Sequence, residues 1–284
     1  MQKGQNASNL DGDDLAAGLL GYSLEIGSRD IDQLEQLSGR IPPGTEVFIN
    51  CMPGELLADR VRTSSRIAAL GLLPVPHIVA IRLAGEAELA DSLQQFVHEG
   101  GAQDFLVVSG DGNPTGPFTD SLELVHWIVE NRIGIRSLGI TGYPEGHPDK
   151  DAKLLDSLLE QKLHLLATAE IRPFVALQFS FDAQAIVDWC RKFHQRYPHF
   201  LVRAGLPGPA RLTSLIRFAQ RCGVKSSMSR LKSLPLASSL KLVQRVPPLA
   251  QALAIGRYRE TENRNLSAHL FSFGGLAATL DWVG

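Results

Sequence analysis

Glu25 and Asp111 are carboxylates whose surroundings suit them to chemistry. Glu25 stands between Leu24 and Ile26, and an apolar wall beside a carboxyl raises its pKa toward the range of a working general acid. The same residue also reads as the exposed member of an alternating strand. Asp111 follows Ser109 and Gly110 at the end of the apolar run Phe105–Val108, where it is either a site carboxylate or the former of a Gly/Asn/Pro turn. Other polar residues also follow apolar runs: Asn50, His77, Thr141, Tyr143 with His147 beyond, Gln178 and Asp182. The stretch ITGYPEGHPDK, Ile140 to Lys150, sets a tyrosine and an imidazole in a proline-stiffened loop, a setting that can hold a planar ligand. Asp149 or Asp151 there could equally cap the next helix.

Several chemistries are excluded. Asp111, Asn113, Thr115 and Gly116 fall at the first, third, fifth and sixth positions of a calcium loop, but its twelfth position is Leu122 and a strand precedes it. Cys190 and His194 lie four apart on a predicted helix, and no second pair completes a metal site. There is no GxGxxG after the first strand, no HExxH and no GxSxG.

These residues need elements to hold them. Short apolar runs predict strands at Tyr22–Ile26, Glu46–Asn50, Val75–Ile81, Phe105–Val108, Ser137–Thr141, Phe174–Phe179, Phe200–Arg203 and Ala268–Phe271. Helical periodicity follows at Asp30–Leu37, Leu57–Leu70, Glu86–His98, Thr119–Glu130, Asp151–Leu166 and Ala183–Gln195. Repeated strand–helix units imply a parallel sheet with helices outside, and about eight of them point to a (β/α)₈ barrel. An open doubly wound sheet is the alternative. In a barrel, strand-end residues converge on one mouth whatever their sequence separation. Apolar stretches at Leu231–Val243 and Leu249–Ile255, punctuated by prolines, predict extra helices after the seventh strand. The domain reading is a flexible tail over 1–20 and one barrel domain over 21–284.

The 284 residues, 44% hydrophobic and 20% charged, are the composition of an ordinary globular chain. A net charge of -2 leaves no electrostatic footprint for nucleic acid or an acidic membrane. The most apolar region, Ala69–Gly85, is broken by Pro74, Pro76, His77 and Arg82 and makes a poor membrane span. Acidic residues precede LAAGLLGY, which argues against a signal peptide, and three scattered cysteines fit a reducing compartment. The expectation is a cytoplasmic protein.

Four blocks in order give a more specific reading: PHIVA, FLVVSGD, GYPEGHPD and LQFSFD, with a weaker fifth, AGLPGPARLTSLIRFAQ. In these the chain resembles the methylenetetrahydrofolate reductase family, whose versions read like PHLTC, ALRGD, AYPEVHPE and TQFFFD. The resemblance runs from about Tyr22 to the end and implies a divergent member of the short bacterial type, holding the catalytic barrel only. It implies an FAD-dependent oxidoreductase that reduces 5,10-methylenetetrahydrofolate to 5-methyltetrahydrofolate with hydride from NAD(P)H, as in methionine biosynthesis. A homo-oligomer is left open.

Position by position, the resemblance makes Glu25 the acid that protonates N10 of the folate and Asp111 the carboxylate beside the flavin. Gln178 becomes a pterin contact and Phe218 a stacking partner for nicotinamide or the folate aryl ring. Cofactor contacts fall to Asn50, His77, Ser109, Gly110, Asp111, Thr141, Tyr143, His147, Asp156 and Lys162. The chain departs from the pattern at SLEIGSRD, where the family has FEFFPP, at Ser109, which replaces an arginine, and at Leu163, which replaces a lysine beside Lys162. These departures keep two other readings open. One is a flavin-independent or partner-reduced enzyme acting on another methyl carrier, and the other is a folate-binding barrel without turnover.

Overall fold

The computed structural model describes residues 12–131, 133–221 and 245–284. Its strands are β1 (Ser23–Ile26), β2 (Glu46–Ile49), β3 (Leu73–Val79), β4 (Asp104–Val108), β5 (Ser137–Gly142), β6 (Arg172–Leu177) and β7 (Leu201–Pro207). A short pair follows, β8 (Ala210–Arg211) and β9 (Arg245–Val246), and then β10 (Leu266–Phe271). Eight of them form a closed barrel in the order β1-β10-β7-β6-β5-β4-β3-β2, with helices between consecutive strands. The fold is a (β/α)₈ barrel, as the alternation of elements predicts. By contacts the chain divides into two compact units, one of Leu24–Gly142 and Lys153–Ala176, the other of Met1–Ser23, Tyr143–Ala152 and Leu177–Gly284.

The first unit shows why the apolar runs become strands. Phe105, Leu106 and Val107 are buried, and β4 pairs in parallel with β3 on one side and β5 on the other, so both of its faces are covered. β3 starts two residues before the predicted boundary. Pro74 and Pro76 lie within it, two apart, so both missing donors fall on one edge. Behind β4 the helix Ser121–Glu130 opens on a capping box. Asp120 accepts from Leu122 N at 2.7 Å, and Glu123 reaches back to Asp120 N at 3.3 Å. At the amino end of β4, Asp104 accepts from Arg136 Nε at 2.9 Å and from Ser137 Oγ at 2.5 Å, which pins β4 to the start of β5.

In the second unit β7 and β10 pair over six residues, Val202 to Pro207 against Leu266 to Phe271. The helix Leu249–Thr261 packs on the helix Ala183–Arg196, where His194 Nδ1 lies 2.9 Å from Tyr258 Oη and Arg191 Nη2 lies 2.7 Å from Glu262. The structure differs from the expected tail at residues 12–19, which are helical. This helix crosses Leu249–Thr261 very closely: a Cβ on Gly18 would lie 2.0 Å from Ala252 O, and one on Gly256 would lie 1.7 Å from Asp14 O. Arg257 Nε adds an ion pair to Asp14 at 2.6 Å. Two glycines separated by more than two hundred residues thus dock a segment whose own composition reads as a tail. Of the predicted extra helices, Leu249–Ile255 belongs to Leu249–Thr261, and Leu231–Val243 lies outside the described residues. Among the described residues no helix is long and apolar enough to cross a membrane.

Candidate functional site

In the first unit, β1, β2 and β3 are successive neighbours, and their carboxyl ends bring Glu25, Asn50 and His77 close together. Glu25 Oε2 lies 3.7 Å from His77 Nε2, with 13% and 11% of the two side chains exposed. That separation is beyond a hydrogen bond but within ion-pair reach of a protonated imidazole. A carboxyl and an imidazole at this spacing can both come within hydrogen-bond reach of one group placed beside them, where either can take or give a proton. Asn50 continues the ladder from β2, its N donating to Ile26 O at 3.0 Å. Its Oδ1 is buried with no hydrogen-bond partner, an acceptor already desolvated for an incoming N–H or O–H.

The end of β4 is different. Ser109, Gly110 and Asp111 follow the strand, and Asp111 stands exposed in a turn between two glycines of positive φ, Gly110 at 93° and Gly112 at 109°. Gly110 is held against β3, where a Cβ would lie 2.6 Å from Val79 Cγ1. Ser109 and Lys162 converge on Ser121: Ser121 N donates to Ser109 Oγ at 3.1 Å, and Lys162 Nζ donates to Ser121 Oγ at 2.7 Å. Lys162 is 6% exposed, so its ammonium is turned to the start of the helix Ser121–Glu130. Thr141 is the last residue but one of β5 and half-buried, and Asp156 lies half-buried on the helix Ala152–Ala167.

In the second unit Gln178, Ser180 and Asp182 find partners within the protein, while Ser272 Oγ, directly after β10, is buried without one. Gln178 Oε1 accepts from Phe179 N at 3.0 Å, Ser180 Oγ donates to Glu145, and Asp182 caps the helix Ala183–Arg196 through Gln184 N at 3.0 Å. Tyr143 meets His147 edge-on, ring centroids 5.2 Å apart. His147 Nδ1 accepts from Asp149 N at 3.1 Å, which fixes that nitrogen as an acceptor. Phe218 is stacked on Phe273, centroids 4.0 Å apart and planes 11° from parallel, so one face of the expected stacking ring is already covered. Phe179 sits beside them, its centroid 4.9 Å from that of Phe273. The Cys190–His194 pair is spent elsewhere: the thiol is fully buried, which pushes its pKa up, and the imidazole nitrogens face Tyr258 Oη and Phe200 O.

Sequence reasoning missed Arg60, whose Nη2 donates to the carbonyl of His77 and so holds the end of β3. A signal was available: in LADRVRTSSRI, Arg60 is three residues from Leu57 and seven from Ile67, on the inward stripe of its helix. Ser121, the common partner of Ser109 and Lys162, gave none.

Sequence comparison finds methylenetetrahydrofolate reductase 2 of Saccharomyces cerevisiae, 27% identical over 146 residues, a match that spans 48% of this chain and 23% of that protein. This chain therefore covers about a quarter of the relative's length. No family model matches. Similar solved structures include tryptophan synthase from M. tuberculosis in its aminoacrylate-bound form, at 12% identity and TM-score 0.43, covering 83% of this chain and 93% of that one. Another is a thermostable aldo-keto reductase in complex with the inhibitor epalrestat, at 15% identity and TM-score 0.42, covering 92% of this chain and 94% of that one. Neither structural likeness bears on substrate or reaction.

Proposed function

We propose that the chain is an oxidoreductase of the methylenetetrahydrofolate reductase kind, reducing 5,10-methylenetetrahydrofolate to 5-methyltetrahydrofolate with hydride from NAD(P)H by way of FAD. The observation that carries this reading is the Glu25–His77 pair at 3.7 Å, an acid–base couple largely shielded from water beside the orphaned acceptor of Asn50. The sequence match to the yeast reductase supports the choice of reaction.

In this reading Glu25 delivers a proton to N10 of the folate, which opens the five-membered ring to an iminium, and His77 lies beside the carboxyl while it changes charge. Gln178 binds the pterin, and Phe218 stacks on the nicotinamide or the folate aryl ring. FAD, when bound, would take hydride from the nicotinamide and pass it to the exocyclic methylene carbon. The residues present fit the ring of such a cofactor: Asn50 Oδ1 is a desolvated acceptor for a ring N–H. Asp111 supplies a negative charge that disfavours an anionic reduced ring and so makes it a better hydride donor. The family resemblance assigns Ser109, Gly110, Thr141, Tyr143, His147 and Asp156 to the same cofactor. Lys162 would contribute through Ser121, to which it is bonded.

The test is the visible spectrum of the purified protein after incubation with FAD, followed by NADH oxidation with methylenetetrahydrofolate as acceptor. A flavin band together with turnover is the expected result. Colourless protein that still turns over selects a flavin-independent enzyme of the same fold. Folate binding without reduction by any donor selects a binding barrel, and absence of both activities overturns the reductase reading.

A further inference from the structure

We propose that the buried guanidinium of Arg60 is the anchor of a separate pocket for a small monocarboxylate with an apolar body. The cavity holds about 370 Å³ and is formed in the first unit by the segments after β2 and β3. That volume is in the range of small-molecule sites, about 300–1,000 Å³. Leu57, Ile78, Val79 and Leu83 give it an apolar side, and its polar lining includes two cations, Arg60 and Arg82, the latter bonded to the Cys51 carbonyl.

Arg60 is the group that calls for a ligand. It is only 6% exposed, Nη2 is spent on the His77 carbonyl, and Nε is buried without a partner. Among the described residues no carboxylate lies within ion-pair distance of it. A buried cation without a counter-ion costs several kcal/mol. The Phe96 ring, 5.2 Å from the guanidinium carbon, offsets only part of that. Burial accordingly pulls the Arg60 pKa down, against smaller opposing effects of Cys51 and Glu55. An anion in the cavity would supply the missing charge, and a planar carboxylate matches the guanidinium fork.

The lining also selects among anions. Glu55 and Glu88 line the cavity too, with their carboxylates bonded to Met52 N at 3.0 Å and Ala84 N at 2.6 Å. They repel a dianion such as phosphate about twice as strongly as a monoanion. The apolar walls in turn need a body that gains from leaving water. The pocket does not depend on the reductase reading: no residue that lines it is assigned to folate or flavin there, and Arg60 touches that site only through the His77 carbonyl.

The probe is sodium hexanoate, titrated calorimetrically into the full chain at neutral pH, with 1-hexanol and inorganic phosphate run alongside. Saturable binding of hexanoate is expected, with the other two at least about 10-fold weaker, the worth of one charge-assisted contact. Arg60→Met should lose about 10-fold or more in hexanoate affinity. Because that variant removes a buried group and can fail to fold, Leu57→Glu is the second arm. Residue 57 opens its helix, where a carboxylate is tolerated by the dipole, and the new charge faces the cavity. It should keep the wild-type melting temperature and lose hexanoate binding by about 10-fold. No saturable hexanoate binding, hexanol binding as tight as hexanoate, phosphate binding more tightly, or unchanged affinity in Leu57→Glu would each overturn the proposal.

Discussion

The carboxyl ends of β1 to β3 and the segments after β6 and β10 treat their polar and aromatic groups in opposite ways. In the first region Glu25 and His77 stop 3.7 Å apart and Asn50 Oδ1 is buried without a partner. In the second, Gln178 bonds to its neighbour's N–H, Ser180 bonds to Glu145, and Phe218 lies flat on Phe273. A desolvated group without a hydrogen bond is a cost borne by the fold, and a ligand that supplies the bond recovers it. A group already satisfied must first give up a partner, so a ligand gains less from it. At Asn50 the first region therefore offers a desolvated acceptor before any ligand arrives, whereas at Gln178 and Phe218 the second must give up a partner to receive one, with Ser272 Oγ its buried exception.

The largest effect expected from this contrast is that of Glu25→Gln, which keeps the shape and removes the acid. Under the proposed reaction, transfer to methylenetetrahydrofolate should fall at least about 100-fold, roughly 2.7 kcal/mol of barrier. Flavin reduction by the nicotinamide should stay near the wild-type rate, since that half-reaction needs no proton at the folate. Stopped-flow measurement of the two half-reactions separates these outcomes. Equal loss in both would make Glu25 a structural group, and wild-type folate turnover would remove it from the chemistry.

Much of this arrangement is legible in the sequence, because the strands are short apolar runs covered on both faces. All eight predicted strands are present, and Glu86–His98 is helical over its predicted span. Glu25, Asn50 and His77 stand at or near the ends of three successive strands, and parallel pairing of those strands sets them side by side. What was not legible depends on partners distant in the chain. The helix at 12–19 rests on Gly256 and Ala252, and Lys162 is turned inward by Ser121, forty-one positions away. Phe218 was placed from its neighbours in sequence, whereas its ring is covered by Phe273, fifty-five positions on. Periodicity reports which face of an element is buried but not which side chain meets it there.

Two further substitutions sharpen the first half of the contrast. Gly110→Ala puts a Cβ 2.6 Å from Val79 Cγ1 and 2.8 Å from Ile81 Cγ1 at a residue with φ of 93°. Strain of about 2 kcal/mol is expected, a drop of roughly 4–8 °C in melting temperature by calorimetry. An unchanged melting point would mean that the turn carrying Asp111 is soft. Asn50→Leu should instead leave stability nearly unchanged. It removes an acceptor that has no partner, so ligand-free stability should stay within about 1 kcal/mol of wild type, while affinity for FAD falls about 10-fold. A loss of more than about 2 kcal/mol in the ligand-free protein would make Asn50 part of the fold's own hydrogen bonding.

The smallest effect expected is that of Phe273→Leu, which tests whether the second region is self-occupied. Phe218 and Phe273 stack at 4.0 Å, and Phe273 also packs with Phe181 against the cluster of Ala210, Leu212, Leu215 and Ala219. An aromatic pair of this kind is worth about 0.5–1.5 kcal/mol beyond its buried area, so the variant should melt a few degrees lower. Leucine keeps most of the volume, so the apolar cluster should remain closed beneath it. With the flat ring gone, however, one face of Phe218 becomes available to a planar ligand without the cost of separating two stacked rings. If Phe273 competes with the ligand, the KM for the nicotinamide or the folate should fall about 2–5-fold, equivalent to less than about 1 kcal/mol, with kcat little changed. A rise in KM by the same factor would mean that Phe273 stacks on the ligand itself. The second region would then be as ready for binding as the first, and the contrast between them would not hold.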